Sequence, residues 1–285
     1  AHHSVLRIEQ DHAELLAHHY GHALDLSRAA GREGLDELEE ATRRALMLAG
    51  ERSITLDVAR ATECFDRVLE LLPPNHPDRA SALFWKAIAA QDAGRYEEAE
   101  ELHRRSIEAF REGGDRIGEG MSLNRLSNVL WERGAYAESR KHLEESVEIL
   151  SAEPPGPELA ACYASSASAR ILVGAFDEAI ELSERALELA RRLDAGALIS
   201  RALSYRGAAR GISGDRDGLD DLSRALEVAE SIGSSQESAL ALLIRAEVEW
   251  ANDGPTVALE TVRAGRDLAE RRGLMDMVFF FDALS

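Results

Sequence analysis

The sequence predicts an all-α fold, a right-handed α-solenoid of about six helical hairpins with an N-terminal lead-in helix and a C-terminal capping helix. Three observations carry that prediction. Gly94, Gly134, Gly174 and Gly214 stand forty residues apart in similar settings, AGRYEEAE, RGAYAESR, VGAFDEAI and SGDRDGLD, and a fixed period in this range marks stacked copies of one supersecondary unit. Small residues recur in step with those glycines. Composition agrees: 45% of the chain is hydrophobic but only 5% aromatic, so its helices must pack through Ala and Leu rather than through large rings.

Residues 1–34 form the lead-in. Within DHAELLAHHYGHALDLSRAAG, Leu15, His19 and Ala23 make one helical stripe, with Leu16, Tyr20 and Leu24 beside it. That face is wide enough to pack on the first hairpin, and Gly31 ends the helix. Residues 35–272 then hold six hairpins, at about 42–75, 80–113, 120–153, 160–193, 200–233 and 239–272. Where two helices cross closely each needs small residues. The first helices offer Ala49, Ala87, Ser127, Ala167, Gly207 and Ala246 at one crossing position. The second helices offer Ala61, Ala99, Ser139, Ala179, Gly218 and Ala258 at another, and Val68, Ser106, Ser146, Ala186, Ala225 and Ala264 at a third. Seventeen of these eighteen are Gly, Ala or Ser, so the crossing is kept while small insertions fall in the turns. The end copies are irregular, with Leu56 in the place of the turn glycine in the first and Asn252-Asp253-Gly254-Pro255 in the last.

Residues 273–285 form the capping helix, GLMDMVFFFDALS. Successive helical residues point about 100° apart, so Phe279, Phe280 and Phe281 cannot all face the last hairpin. The remainder are expected to be covered by a second copy of the chain or by further polypeptide, which makes these three residues self-association candidates.

A bulky apolar residue, a small residue, a Gly-x-aromatic turn with Tyr96, Tyr136 or Phe176, and an Ala-rich second helix recur in that order, most clearly over 80–113, 120–153 and 160–193. The pattern resembles the tetratricopeptide repeat. Its forty-residue period exceeds the consensus unit and looks like the longer variants of bacterial regulators. The phrases ELLAHHY, ALMLAGERSITL, ATECFDRVLELLP and GDRDGLDDLSRALEVA further resemble the C-terminal region of large bacterial signalling proteins, in which an ATPase module, often behind an adenylate/guanylate cyclase-like domain, precedes a helical-repeat tail. What this resemblance implies is a regulatory tail that contacts a protein, a peptide or the ATPase or cyclase domains of its own chain.

In repeats of this type the first helices line a groove. Its expected wall comprises Phe84, Trp85 and Ile88, then Asn124, Arg125, Asn128 and Trp131, then Ser165, Ser168 and Ile171, then Tyr205, then Leu243, Ile244, Glu247 and Trp250. All three tryptophans fall in that set. Trp, Tyr and Arg are favoured interface anchors, and Asn can pair with both the N–H and the C=O of an extended peptide. A lysine clamp for a carboxylate is not expected, because the chain's two lysines, Lys86 and Lys141, stand elsewhere.

Other chemistries find little support. The formal charge of −19 repels phosphate backbones, so nucleic acid is not an expected partner. No run approaches the roughly 18 apolar residues of a membrane span, and the chain reads as cytoplasmic. Thirty-one of its 33 basic residues are Arg, which together with the Ala and Leu excess suggests a GC-rich bacterial genome. Neither lysine follows a glycine, so no phosphate loop is present, and no G-x-S-x-G, H-E-x-x-H or C-x-x-C occurs. No cofactor is expected. Glu14, His18 and His22 share one helical stripe, but nothing further along the chain would complete a metal shell, so they read as a solvated face and not as a metal site. Cys64 and Cys162 lie in helix interiors and read as packed thiols. The function expected is therefore a non-catalytic protein- or peptide-binding scaffold, with self-association as the alternative.

Overall fold

Two helices can approach closely only where neither places bulk between them, and pairs of small residues seven apart on the second helix of each hairpin provide that clearance. Seven residues span nearly two turns, so both members face the same way. The computed structural model describes residues 12–54 and 57–285 and contains, among these, fourteen helices and no strand. Leu56 lies outside the described residues.

The chain divides into two compact units, residues 1–149 and 150–285. The first carries α1 (Ala13–Ala29), α2 (Asp36–Ser53), α3 (Val58–Leu71), α4 (Asp78–Asp92), α5 (Tyr96–Gly113), α6 (Arg116–Glu132) and α7 (Tyr136–Ser151), the last ending just past the division. The second carries α8 (Pro157–Leu172), α9 (Phe176–Arg192), α10 (Gly196–Ile212), α11 (Asp217–Ser231), α12 (Ser235–Asp253), α13 (Pro255–Arg272) and α14 (Met275–Ala283). From α1 to α6, and again from α8 to α14, each helix packs on its neighbours in the chain. The first helices of successive hairpins also touch: α2 with α4, α4 with α6, α8 with α10, and α10 with α12. This is the local pattern of an all-α helical-repeat solenoid.

The crossing residues are buried as their spacing requires, with one correction. Ala264 is exposed, and Gly265, seven residues after Ala258, is buried instead. The interval of seven is fixed by helix geometry, whereas the distance between hairpins varies with the turns, so the within-helix interval is the better guide. At Gly265 the space a side chain would occupy is filled by the ring of Phe281. Serines in these columns tie the two helices of a hairpin to each other. Ser106 Oγ donates to the Ala80 carbonyl at 3.1 Å and Ser146 Oγ to that of Gly120 at 2.7 Å. Further on the direction reverses, and Ser200 Oγ on α10 donates to the Ala225 carbonyl at 2.8 Å.

The turns explain the forty-residue glycines. Gly94, Gly134, Gly174 and Gly214 all have φ between 71° and 95°, a region costly for residues with a Cβ. The next residue then reaches back to the helix: Arg95 to Ala90, Ala135 to Leu130, Ala175 to Arg170 and Asp215 to Arg210, all N–H···O bonds of 2.8 or 2.9 Å. These bonds satisfy carbonyls left open at the helix end. Gly254 departs from the set with ψ of 172°, because Pro255 forces the residue before it into extended backbone.

The lead-in helix also needs correction. Ala13, Ala17 and Leu24 are its buried residues, with Leu16 packed beside them, while Leu15, His19 and Ala23 face solvent. The face that meets α2 is the one through Ala13 and Ala17, whose small side chains let the helices close.

The tightest crossing yields a test. A Cβ at Gly218 would stand 2.5 Å from the Gly211 nitrogen and 2.6 Å from the Gly207 oxygen, all backbone, whereas one at Gly21 in α1 would meet nothing within 4 Å. Gly218→Ala should therefore lower stability by about 1–3 kcal/mol, and Gly21→Ala should raise it by about 0.5–1 kcal/mol through helix propensity. Denaturant unfolding followed by far-ultraviolet circular dichroism measures both; equal effects would refute the crossing geometry.

Candidate functional site

The strongest concentration of recognition side chains lies on α4 and α6 of the first unit, which pack side by side. Arg125, Asn128 and Trp131 follow one another at intervals of three along α6, so they share a stripe. Arg125 is exposed, and Asn128 and Trp131 are half-buried. Trp85, forty residues before Arg125 and therefore in register with it on α4, is also half-buried. Trp131 lies against Tyr136, ring centroids 4.6 Å apart, and Tyr136 is itself exposed. Together these place two indoles, a guanidinium and an amide along adjoining helices.

Other expected wall residues belong to the interior. Phe84 and Ile88 are buried in a core cluster with Phe65 and Phe110, and Asn124 is buried too. Each first helix must pack on its own partner helix and on the next hairpin, which leaves only a narrow stripe for solvent. Phe84 still shapes the wall from beneath: its ring meets Trp85 edge-on at 5.3 Å and His103 at 5.9 Å.

His103 on α5 was not expected. It is fully buried, and neither ring nitrogen has a hydrogen-bond partner; the Asn124 Oδ1 on α6 is likewise buried without one. Burial, and secondarily the Arg125 charge, push the His103 pKa down to about 3. It is thus a neutral imidazole under the wall. Its signal in the sequence was weak, because a His among Glu and Arg on an amphipathic helix reads as surface.

In the second unit, the Tyr205 hydroxyl is hydrogen-bonded to Ser168, and burial pushes its pKa up while Arg201 opposes that shift. Arg201 in turn pairs with buried Glu237. Ser168 and Tyr205 thus serve as internal fastenings. Ile244 is buried. Trp250 is 46% exposed.

Phe281 is not available for self-association. It is 0% exposed in a core with Val262, Ala269, Met277 and Val278, seated over Gly265. Phe279 and Phe280 are 70% and 48% exposed, with ring centroids 6.0 Å apart. His18 and His22 stand on the exposed side of α1 with rings 4.5 Å apart, and among the described residues no three His, Cys, Asp or Glu side chains come together as a metal site. Cys64 and Cys162 are buried free thiols. No helix among the described residues is long and apolar enough to cross a membrane.

Residues 78–152 and 118–192 each match the tetratricopeptide repeat family. Residues 78–192 carry tetratricopeptide repeats. No curated protein sequence matches it significantly. Among solved structures, a Rap protein complexed with competence and sporulation factor superposes with a TM-score of 0.71 at 14% identity, covering 98% of this chain and 80% of that one. NprR in complex with its cognate peptide NprX gives 0.65 at 14% identity, over 98% and 84%. A signal transduction ATPase with numerous domains from Pyrococcus horikoshii, described as having a tetratricopeptide repeat sensor, gives 0.55 at 16% identity; the match spans 98% of this chain but 45% of that protein. At these identities the likeness is one of fold.

His103 gives the repeats a titratable liability. Its native pKa lies below that of the unfolded chain, so as pH falls below about 6.5 the unfolded state takes up a proton the native state refuses. Stability should drop by about 1.4 kcal/mol per pH unit from this group until its native pKa is approached. In His103→Leu the loss between pH 7 and pH 4.5 should shrink by about 2–3 kcal/mol relative to wild type, while stability at pH 7 stays within about 1 kcal/mol, since two unpartnered polar atoms leave the core. Urea unfolding at the two pH values decides this; identical pH dependence in both proteins would contradict it.

Proposed function

We propose that the chain is a non-catalytic regulatory scaffold that binds a protein or peptide, and that it forms the tetratricopeptide-repeat tail of a bacterial signalling ATPase or cyclase-like regulator. The observation that carries this reading is the wall formed by Trp85, Arg125, Asn128 and Trp131 on adjoining first helices. Indole and guanidinium groups bind through large rigid faces at low entropic cost, and Asn128 supplies a donor and an acceptor in one side chain. An extended peptide has unpaired N–H and C=O groups that suit such an amide. The likeness to folds solved with a bound factor and with a cognate peptide, and to one with a repeat sensor in a signal transduction ATPase, is consistent with this reading. On the same reading the six hairpins, the lead-in α1 and the cap α14 serve as the support.

The alternative is a self-association module, favoured by one observation: Met275, Phe279 and Phe280 leave a large apolar surface on α14, each of them about half exposed or more. Each phenyl left in water forgoes on the order of 2 kcal/mol of burial. Sedimentation of the chain with and without residues 274–285 separates the readings, since only the second predicts a mass change.

For the binding reading, a partner captured by the chain should lose about 1–3 kcal/mol of affinity in Asn128→Ala through lost backbone hydrogen bonds, with the melting temperature retained. Trp131→Ala should weaken it by at least about 2 kcal/mol. Titration calorimetry provides the comparison, and affinity unchanged in both variants would remove the wall from the reading.

A further inference from the structure

On α12, in the second unit, one carboxylate stands apart from the others. This helix carries four acids. Glu237 is held by Arg201, Asp253 by Arg216, and Glu249 by Arg245 Nε at 2.7 Å and Thr261 Oγ1 at 2.6 Å. Glu247 takes no hydrogen bond and no ion pair from any described residue. The adjoining first helices hold no spare cation for it. All three arginines of α10 are engaged, Arg201 with Glu237 and both Arg206 and Arg210 with Asp221, and α14 carries no basic residue.

Its neighbours along the helix decide which cation suits it. Leu243, Glu247 and Trp250 follow at intervals of four and three, so they share one stripe. Leu243 packs against the core that holds Phe281, whereas Trp250 is 46% exposed. Glu247 itself is exposed, yet the apolar side chains around it exclude enough water to push its carboxyl pKa up. A carboxylate so placed gains most from a cation that also brings apolar surface. A metal ion would meet one carboxylate and no further protein ligand, since no three such side chains gather among the described residues. A basic side chain carries its charge at the tip of an aliphatic stem. A planar guanidinium can also lie on an indole while it pairs with a carboxylate. The net charge of −19 draws cationic segments to the chain at long range.

Resting on the reading of the first helices as a binding wall, we propose that Glu247 and Trp250 take up one arginine side chain of a partner peptide or protein, its guanidinium against carboxylate and indole and its methylenes over Leu243. The interval of three between Glu247 and Trp250 is that between Asn128 and Trp131 on α6. An amide stands beside the indole in the first unit and an acid in the second, so the two positions select different groups.

The probe is the peptide acetyl-Leu-Arg-Leu-amide, titrated into the full isotope-labelled chain, with acetyl-Leu-citrulline-Leu-amide as its neutral isostere. The three tryptophans give three indole N–H signals in a two-dimensional NMR spectrum, assigned by replacing each in turn with Phe. The Trp250 signal should shift and saturate with the arginine peptide while those of Trp85 and Trp131 move less. The citrulline peptide should bind at least about fivefold more weakly. In Glu247→Gln the two peptides should bind within about twofold of each other, and circular dichroism reports whether the variant remains folded. Should it unfold, the comparison of the two peptides on the wild-type chain decides. Absence of a saturable Trp250 shift, an equal shift at Trp131, equal affinity for the two peptides, or an unchanged preference for arginine in a folded Glu247→Gln would each overturn the proposal. None of these outcomes removes the wall at Trp85, Asn128 and Trp131, which stands or falls with the affinity of a captured partner for Asn128→Ala and Trp131→Ala.

Discussion

Close approach of paired helix backbones is the constraint on which the rest of this structure depends. Ala99 and Ser106, Ala179 and Ala186, and Gly218 and Ala225 are buried where the second helix of a hairpin crosses the first. Because these side chains are small, dispersion contacts come from backbone and Cβ atoms rather than from interdigitated large rings. A chain with 5% aromatic residues can build a dense interior only in this way. The polar members of the columns strengthen the same contact, since Ser106 and Ser146 bond carbonyls of the facing helices and so avoid the penalty of a buried unpaired hydroxyl.

The arrangement of recognition groups follows from that packing. When a second helix lies tightly on its partner and the next hairpin covers another side, each first helix shows solvent only a narrow stripe. On α6 that stripe contains Arg125, Asn128 and Trp131, while Asn124, one residue earlier, is interior. Rigidity comes partly from buried acids at the helix starts. Glu119 near the start of α6 is fully buried and receives Arg111 from α5 at 2.8 Å and Arg116 at 2.7 Å. Glu237 is held by Arg201 in a comparable way within the second unit.

Much of this was legible in the sequence. The forty-residue glycines marked the turns, and the small-residue columns marked the crossings, because both are dictated by local backbone geometry. The failures share a cause as well. The spacing between hairpins points to Ala264, whereas the interval of seven within the helix points to Gly265, the buried residue. The groove pattern points Phe84 and Ile88 outward, and periodicity alone does not say which of the three phenylalanines caps the last hairpin, although the packed geometry puts Phe84, Ile88 and Phe281 in the core. Periodicity says which residues share a face but not how wide the covered face is, and that width depends on neighbours distant in sequence. Nor could His103 be found by pattern, since its isolation from hydrogen-bond partners is a property of the assembled core.

The most direct measurement is a comparison of leucine substitutions across the columns. Leucine is a strong helix former, so any large effect reports crowding rather than propensity. Denaturant unfolding of Ala99→Leu, Ala179→Leu and Ala258→Leu should show losses of about 1–3 kcal/mol or more, whereas Ala264→Leu, on the exposed side of α13, should stay within about 0.5 kcal/mol of wild type. Equal tolerance at all four positions would contradict the claim that close backbone approach organises the fold.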